Sequence, residues 1–128
     1  MFKSLEVFRM ASAMASHAGV RQGVIAANMA NADTPGYRAR DVVPFTEFYR
    51  EADGTRMRAT RSGHLFGGGT STNPDVFIAR TGDGSPNGNT VSIEDQMVRA
   101  VETRKQHNQA LAIYRSGMTI LRGSLGRR

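Results

Sequence analysis

The chain has 128 residues and a formal net charge of +6, and only 39% of its residues are hydrophobic. It contains no cysteine, which excludes disulfide bonds, thiolate metal sites and a cysteine nucleophile. No window approaches the roughly 18 consecutive apolar residues that a membrane-spanning helix needs, so we expect no membrane insertion.

The N-terminal segment, residues 1–44, predicts a long helix followed by an extended arm. Apolar residues recur at alternating steps of three and four, which places them on one face of a helix. This face comprises Phe8, Ala11, Ala15, Ala18, Gln22, Ile25, Met29 and Ala32. Most of these side chains are small, so a neighbouring helix can approach closely but little apolar area is buried per turn. Such a helix needs packing partners to be stable.

The stretch ANMANADTPGYRARDV predicts where this helix ends. Asn28 and Asn31 lie near the helix end, where their side chains can bond freed carbonyls or tolerate left-handed geometry. Thr34 is held extended by the proline that follows it, and Pro35 and Gly36 suit the two central positions of a type II turn. An isolated Thr-Pro-Gly is most often an ordinary helix cap and turn.

The arm after the turn carries an aromatic residue and several charges. Tyr37 offers an aromatic anchor with a polar tip. Arg38, Arg40 and Asp41 offer charge pairing to a neighbour. We predict that this arm lies across a neighbouring subunit and that Tyr37 and the arginines fix its register.

The middle segment, residues 45–90, differs in composition from both ends. It holds eight of the fourteen glycines, including the run at 67–69, and its charges balance. VFIAR at 76–80 is its only plausible strand. We predict a flexible glycine-rich connector with, at most, one short hairpin.

The C-terminal segment, residues 91–128, predicts a second long helix. Ser92 can cap its start, and Asp95 stands three residues later, where a capping-box acid belongs. Gly123 and Gly126 predict fraying near its end. Arg104 and His107 interrupt its apolar stripe, which comprises Met97, Ala100, Arg104, His107, Leu111, Tyr114, Met118, Leu121 and Leu125.

Together these segments predict a mainly α fold. The two long helices pair as an antiparallel, coiled-coil-like hairpin joined by a largely irregular middle segment. A two-helix hairpin covers only one side of each stripe, so the chain is expected to complete its core with other chains. The residues predicted to pack the helices are Phe8, Ile25, Met29, Met97, Leu111, Tyr114, Met118 and Leu121.

The sequence gives little support to an enzyme, a metal site or a cofactor. His17, His64 and His107 lie far apart, and none has a second ligand at metal-binding helical spacing. GGGTST lacks the lysine of a phosphate-binding loop and is interpreted as a linker. Nucleic acid is not an expected partner either, because no basic run exceeds two residues and aromatic residues are not interleaved with arginines. We therefore expect no enzymatic activity and no cofactor.

Two stretches resemble the axial proteins of the bacterial flagellar rod and hook. ANMANADTPGY resembles the Ala-Asn-x-Ala-Asn-x-x-Thr-Pro-Gly-Tyr signature near the N-terminus of that family, and RARDV is similar to its continuation in short proximal rod members. The stretch from GNTVSIEDQ to ILRGSLG is similar to the closing helix of the family. The resemblance covers roughly residues 1–45 and 88–125.

The resemblance implies a structural protein of the flagellar basal body. Members of the family pair their terminal helices, stack around a central export channel and form the periplasmic rod, which transmits motor torque. The implied partners are copies of the chain itself, other proximal rod proteins, the adaptor between rod and MS ring, the MS ring and the export gate. The family is exported by the flagellar type III system without a cleaved signal, and Arg9, His17 and Arg21 interrupt any apolar signal core here.

Two other functions remain open on the residues alone. A small adaptor or chaperone-like module could use the same helix pair to capture a partner helix. An arginine-rich nucleic-acid binder ranks third, and it would show a steep salt dependence of binding.

Overall fold

A computed structural model describes residues 2–54, 74–79 and 84–126. Within these ranges, three helices and two short strands follow one another in the order α1 (Phe2–Ala30), β1 (Arg40–Val42), α2 (Phe45–Gly54), β2 (Val76–Ile78) and α3 (Ile93–Leu125). The glycine run at 67–69 and His64, both considered above, lie outside the described residues. In the described ranges, no helix is long and apolar enough to cross a membrane.

The two long helices, α1 and α3, pack together as an antiparallel hairpin. Asn28 near the end of α1 bonds Gln96 in the first turn of α3. At the other end of the pair, the ring of Phe8 meets that of Tyr114 edge to face, with centroids 5.3 Å apart. The predicted mainly α hairpin of long terminal helices is therefore confirmed.

The interface between α1 and α3 is built from small and polar side chains. α1 buries Ala11, Ala18 and Ile25. The buried residues of α3 are Gln96, Thr103 and Ala110. Alanines allow the backbones to approach closely, but they remove little apolar area from water. The hairpin therefore gains less from hydrophobic burial than a leucine-rich pair of equal length.

The face of α3 that the hairpin buries is rotated from the predicted apolar stripe, although Tyr114 of that stripe contacts Phe8. Gln96 and Thr103 can be buried because Gln96 Oε1 accepts from Asn28, and Thr103 Oγ1 donates to the carbonyl of Arg99 at 2.7 Å. Of the eight predicted packing residues, Ile25 is buried and Phe8 and Met118 are half-buried. The others are exposed in this chain, namely Met29, Met97, Leu111, Tyr114 and Leu121.

The arm beyond α1 forms one strand of a two-stranded ribbon. β1 pairs with β2 antiparallel, with Arg40 opposite Ile78, Asp41 opposite Phe77 and Val42 opposite Val76. The strand predicted at 76–80 thus corresponds to β2. Its partner is the arm, so the ribbon joins segments that lie far apart in sequence rather than forming a local hairpin.

α2 was not predicted, because the connector was taken to begin at its first residue. The carbonyl of Pro44 accepts from the N–H of Phe48 at 3.1 Å, which begins the first turn. Phe45, Phe48 and Tyr49 are spaced to share one face, and the rings of Phe45 and Phe48 lie 5.6 and 5.8 Å from that of His17 on α1. The aromatic spacing after a proline was the overlooked signal.

Candidate assembly site

The junction between α1 and the arm is a tight turn. The N–H of Tyr37 donates to the carbonyl of Thr34 at 3.2 Å, and Gly36 has a φ of 72°. A positive φ after Pro35 is the geometry of a type II turn, which a residue with a Cβ adopts only with strain. The predicted turn is therefore confirmed. The N–H of Gly36 also donates to the carbonyl of Asn87 at 3.0 Å, which ties the turn to the chain that leads into α3.

The side chain of Asn31 makes hydrogen bonds with neighbouring groups at the end of α1. Its Nδ2 donates to the carbonyl of Ala27 at 2.8 Å, and its Oδ1 accepts from the hydroxyl of Thr34 at 3.3 Å. This is one of the two roles that the sequence suggested, since the last carbonyls of a helix have no partner within the helix. No residue other than glycine has a positive φ in the described part of the chain.

Asn28 holds the arm through the arm's own backbone. Its side chain is fully buried, and its amide donates to the carbonyl of Arg40 at 2.7 Å and to Gln96 Oε1 at 3.0 Å. Its Oδ1 accepts from the N–H of Arg40 at 3.0 Å and from the hydroxyl of Tyr37 at 3.4 Å. A buried amide with all its groups bonded fixes one register of helix, arm and partner helix.

Asn89 caps α1 from the other half of the chain. Its Nδ2 lies 2.9, 2.7 and 2.8 Å from the carbonyls of Asn31, Ala32 and Thr34, and its Oδ1 accepts from the N–H of Val91 at 2.8 Å. The residue is 2% exposed. Asn89 was not among the residues selected from the sequence. The available signal was its place in GNTVSIEDQ, the stretch that leads into the closing helix.

Asp41 joins the arm to both long helices. Its carboxylate accepts from Arg21 Nε of α1 at 3.2 Å and from a guanidinium nitrogen of Arg99 on α3. Arg99 also pairs with Asp95, 2.9 Å away on the same helix. The Asp41 side chain is 13% exposed, so the pairing is only partly screened by water. Within the described residues, then, Asp41 is occupied inside its own chain, whereas it was predicted to meet a neighbour.

Among the other residues predicted to contact a neighbour, the two arginines are open to solvent and the tyrosine is not. The side chains of Arg38 and Arg40 are exposed, and Tyr37 is half-buried with its hydroxyl turned to Asn28. Contact with a neighbouring subunit stays a prediction for these three residues. Beyond the arm, Nε2 of His17 lies 2.7 Å from the carbonyl of Val43, so α1 also holds the chain that enters α2.

The start of α3 has the predicted N-cap. Ser92 has extended backbone angles, and its Oγ accepts from the N–H of Asp95 at 3.3 Å. Hydrogen bonds from the Glu94 backbone N–H and from the Ser92 hydroxyl hold the pKa of the Glu94 carboxyl below its usual value. The acid that contacts the cap is therefore Glu94, while the predicted capping-box acid, Asp95, pairs with Arg99.

A groove runs between α1 and α3. Its volume is about 480 Å³, and it is lined by Ala18, Gly19, Gln22, Ala100, Val101, Thr103, Arg104 and His107. Exposed apolar side chains continue along the same side of α3: Met97 is 54% exposed and Val101 69%. Arg104 and His107, which interrupt the predicted stripe, are walls of this groove. No group of three metal-ligating side chains occurs among the described residues.

Comparison with known proteins agrees with this architecture. The family model for flagella basal body rod proteins matches residues 11–38, which span α1 and the turn. A flagellar basal body rod protein FlgB from Agrobacterium fabrum is 31% identical over 120 residues, covering 88% of this chain and 87% of the relative. FlgB proteins from Salmonella typhimurium and Bacillus subtilis are each 30% identical, over 80% and 70% of this chain and 83% and 69% of the respective relative.

The matched regions include the elements that build the site, namely the end of α1, the turn and the arm. Identity of 30–31% over 70–88% of this chain and 69–87% of the relatives shows common descent. The chain belongs to the FlgB family of flagellar basal body rod proteins.

Proposed function

We propose that the chain is a subunit of the proximal rod of the flagellum, which assembles around the export channel and passes torque from the MS ring to the distal rod and hook. The observation that carries this proposal is the exposed apolar side of α3, set against family membership. The monomer buries Gln96 and Thr103 and leaves the apolar side chains of Met97 and Val101 exposed. An exposed apolar surface of this kind is typical of a contact with another chain.

The groove between α1 and α3 supports a helix as the occupant of this face. Small residues at Ala18, Gly19 and Ala100 leave room for the side chains of a third helix to enter. Repeated contacts of this kind between copies, each modest, build a stiff tube. An open tube needs contacts that join different faces of the two copies, with a rotation between copies that does not close into a ring.

The remaining parts of the proposal concern partners and location. Besides copies of itself, the chain contacts other proximal rod proteins, the adaptor that joins the rod to the MS ring, the MS ring and the export gate. It reaches the periplasmic rod through the flagellar type III system without a cleaved signal. Its role is structural, with no catalytic activity.

Val101→Glu tests the proposal, because it places a charge on the groove without disturbing a buried residue. Ser116→Glu is the matched control, since Ser116 is exposed on the same helix and lies outside the groove. In a strain lacking the native gene copy, Val101→Glu should abolish swimming and leave basal bodies without a complete rod in electron micrographs, while Ser116→Glu should swim. Circular dichroism must show equal helix content in both variants. Normal swimming by Val101→Glu contradicts the proposal.

The groove also fits the alternative of a small helical adaptor, which binds one partner helix in a closed complex. Light scattering on the purified chain separates the two functions. A rod subunit continues to add copies as its concentration rises, whereas an adaptor stops at a fixed stoichiometry with its partner.

A further inference from the structure

The outer edge of β2 has no partner in the described part of the chain. Among the described residues the sheet consists of β1 and β2, and the β2 side chains are all open to solvent: Val76 is 47% exposed, Phe77 44% and Ile78 56%. An uncharged apolar strand with a free edge is a template for pairing with another strand. Soluble proteins usually block such an edge with charge, proline or a covering element.

The pairing with β1 fixes which backbone groups of β2 are free. The N–H of Val43 donates to the carbonyl of Asp75 at 3.3 Å, and the N–H of Ala79 donates to the carbonyl of Ala39 at 2.9 Å. Hydrogen-bonded pairs alternate along an antiparallel ladder, so residue 77 also faces β1. The N–H and C=O groups of Val76 and Ile78 therefore point away from β1.

We infer that the outer edge of β2 pairs antiparallel with the same edge of a second copy of this chain, with the two-fold axis at Phe77. The free groups are symmetric about Phe77, so Val76 of each strand meets Ile78 of the other in a reciprocal hydrogen-bonded pair. Phe77 faces its own counterpart across the axis, where an aromatic pair adds stability.

Charge favours this arrangement over a parallel one in register. Antiparallel pairing places Asp75 opposite Ala79 of the other copy, whereas parallel pairing brings the two Asp75 carboxylates side by side. The pair also converts an isolated two-stranded ribbon, which is marginal alone, into a sheet of four strands. The contact is much smaller than a standard stable interface, so the dimer dissociates readily on dilution.

A two-fold contact joins copies that run in opposite directions, whereas a rod built by stacking is polar. The β2 pair is therefore a form of the unassembled subunit, separate from the helix contacts of the rod. The β2 pair occupies the ribbon and leaves the groove between α1 and α3 open. The dimer inferred here can therefore be tested independently of the rod assembly proposed above.

The absence of cysteine allows a direct test by cross-linking. Antiparallel Cα atoms in a pair that is not hydrogen-bonded lie about 4.5 Å apart, within disulfide range, so purified Phe77→Cys should form a covalent dimer under mild oxidation. Asp75→Cys is the matched control, because the two copies of residue 75 lie about 13 Å apart in this register. The expected result is rapid cross-linking of Phe77→Cys and little of Asp75→Cys. Equal rates, or no dimer from Phe77→Cys, overturn the inference.

A second change separates strand pairing from chance collision. Ile78→Pro removes an N–H that points outward and leaves the bonds to β1 in place, because proline is tolerated at a free strand edge. Added to Phe77→Cys, it should abolish the cross-link, and persistence of the cross-link overturns the inference. Val101→Glu added to Phe77→Cys should leave the cross-link intact, whereas its loss means that the helix face, not β2, joins the copies. Swimming by each variant reports rod assembly separately.

Discussion

Asn89→Asp is expected to unfold the junction between α1 and the arm, although it changes one amide to a carboxylate of the same shape. The native amide nitrogen lies within 2.9 Å of three carbonyl oxygens. An aspartate offers those carbonyls no donor, and it is buried near the negative end of the α1 dipole. The amide has two N–H groups, so two hydrogen bonds worth about 1 kcal/mol each are lost, and the buried unsatisfied carboxylate costs about 1–3 kcal/mol more, for a loss of about 4 kcal/mol. That is a large part of a stability of about 5–15 kcal/mol for a domain.

Asn87→Asp is the matched control for this change. Asn87 is exposed in the same loop, and its Oδ1 accepts from the N–H of Asn89 at 3.1 Å, a role that a carboxylate retains. Urea unfolding followed by circular dichroism at neutral pH should show a loss below about 1 kcal/mol for Asn87→Asp. Because burial raises the pKa of the introduced carboxyl at position 89, its penalty should fall as the pH is lowered and the neutral acid regains one donor. Equal stability of the two variants refutes the capping role.

Three further outcomes follow from the hairpin. A Cβ on Gly117 would lie 2.7 Å from Cζ of Phe8, whereas a Cβ on Gly23 would meet nothing within 4 Å. Thermal melting should therefore show that Gly23→Ala raises the free energy of unfolding by about 1 kcal/mol, because alanine favours a helix more than glycine does. Gly117→Ala should raise it by less or lower it, because the added methyl group crowds Phe8. Asp41→Asn leaves Arg21 without a carboxylate and Arg99 with only that of Asp95. It should cost about 2–3 kcal/mol in urea unfolding, with a smaller cost in high salt, and a cost that does not depend on salt contradicts the ion-pair account. Folding lowers the pKa of the Glu94 carboxyl, so the ionised carboxylate should stabilise α3 above the usual pKa of a glutamate. This stabilisation should be lost as the pH falls through the lowered pKa. In an acid titration followed by circular dichroism, Glu94→Gln should remove the corresponding loss of helix.

Features that depend on a few neighbouring residues could be predicted from the sequence. Pro35 and Gly36 determine their turn by restricting and freeing φ, and Ser92 caps the helix that begins one residue later. The rotation of α3 could not be predicted in this way. A periodic stripe shows which side of a helix is apolar, but burial of Gln96 and Thr103 depends on the hydrogen bonds that each of them makes.

The candidate site could be predicted only in part, because its hydrogen bonds and ion pairs join residues that lie far apart in the sequence. The signature residues were found, but their partners lie far along the chain: Asn28 bonds Gln96, and Asp41 binds Arg99. An exposed arginine and a paired one look alike in a sequence. Asp41 was therefore assigned to a neighbour, although its partners are within the same chain.

The capping of α1 by Asn89 has a consequence for how the chain is made. A ribosome completes the turn signature early, yet the groups that fix it come from Asn87, Asn89, Gln96 and Arg99, which are synthesised some fifty to seventy residues later. Asn28 can bond the backbone of Arg40, and Arg21 can pair with Asp41, as soon as the arm has been made. The cap on α1 and the contacts of the arm with α3 form only after the start of the last helix has left the ribosome, so the junction is completed late in synthesis.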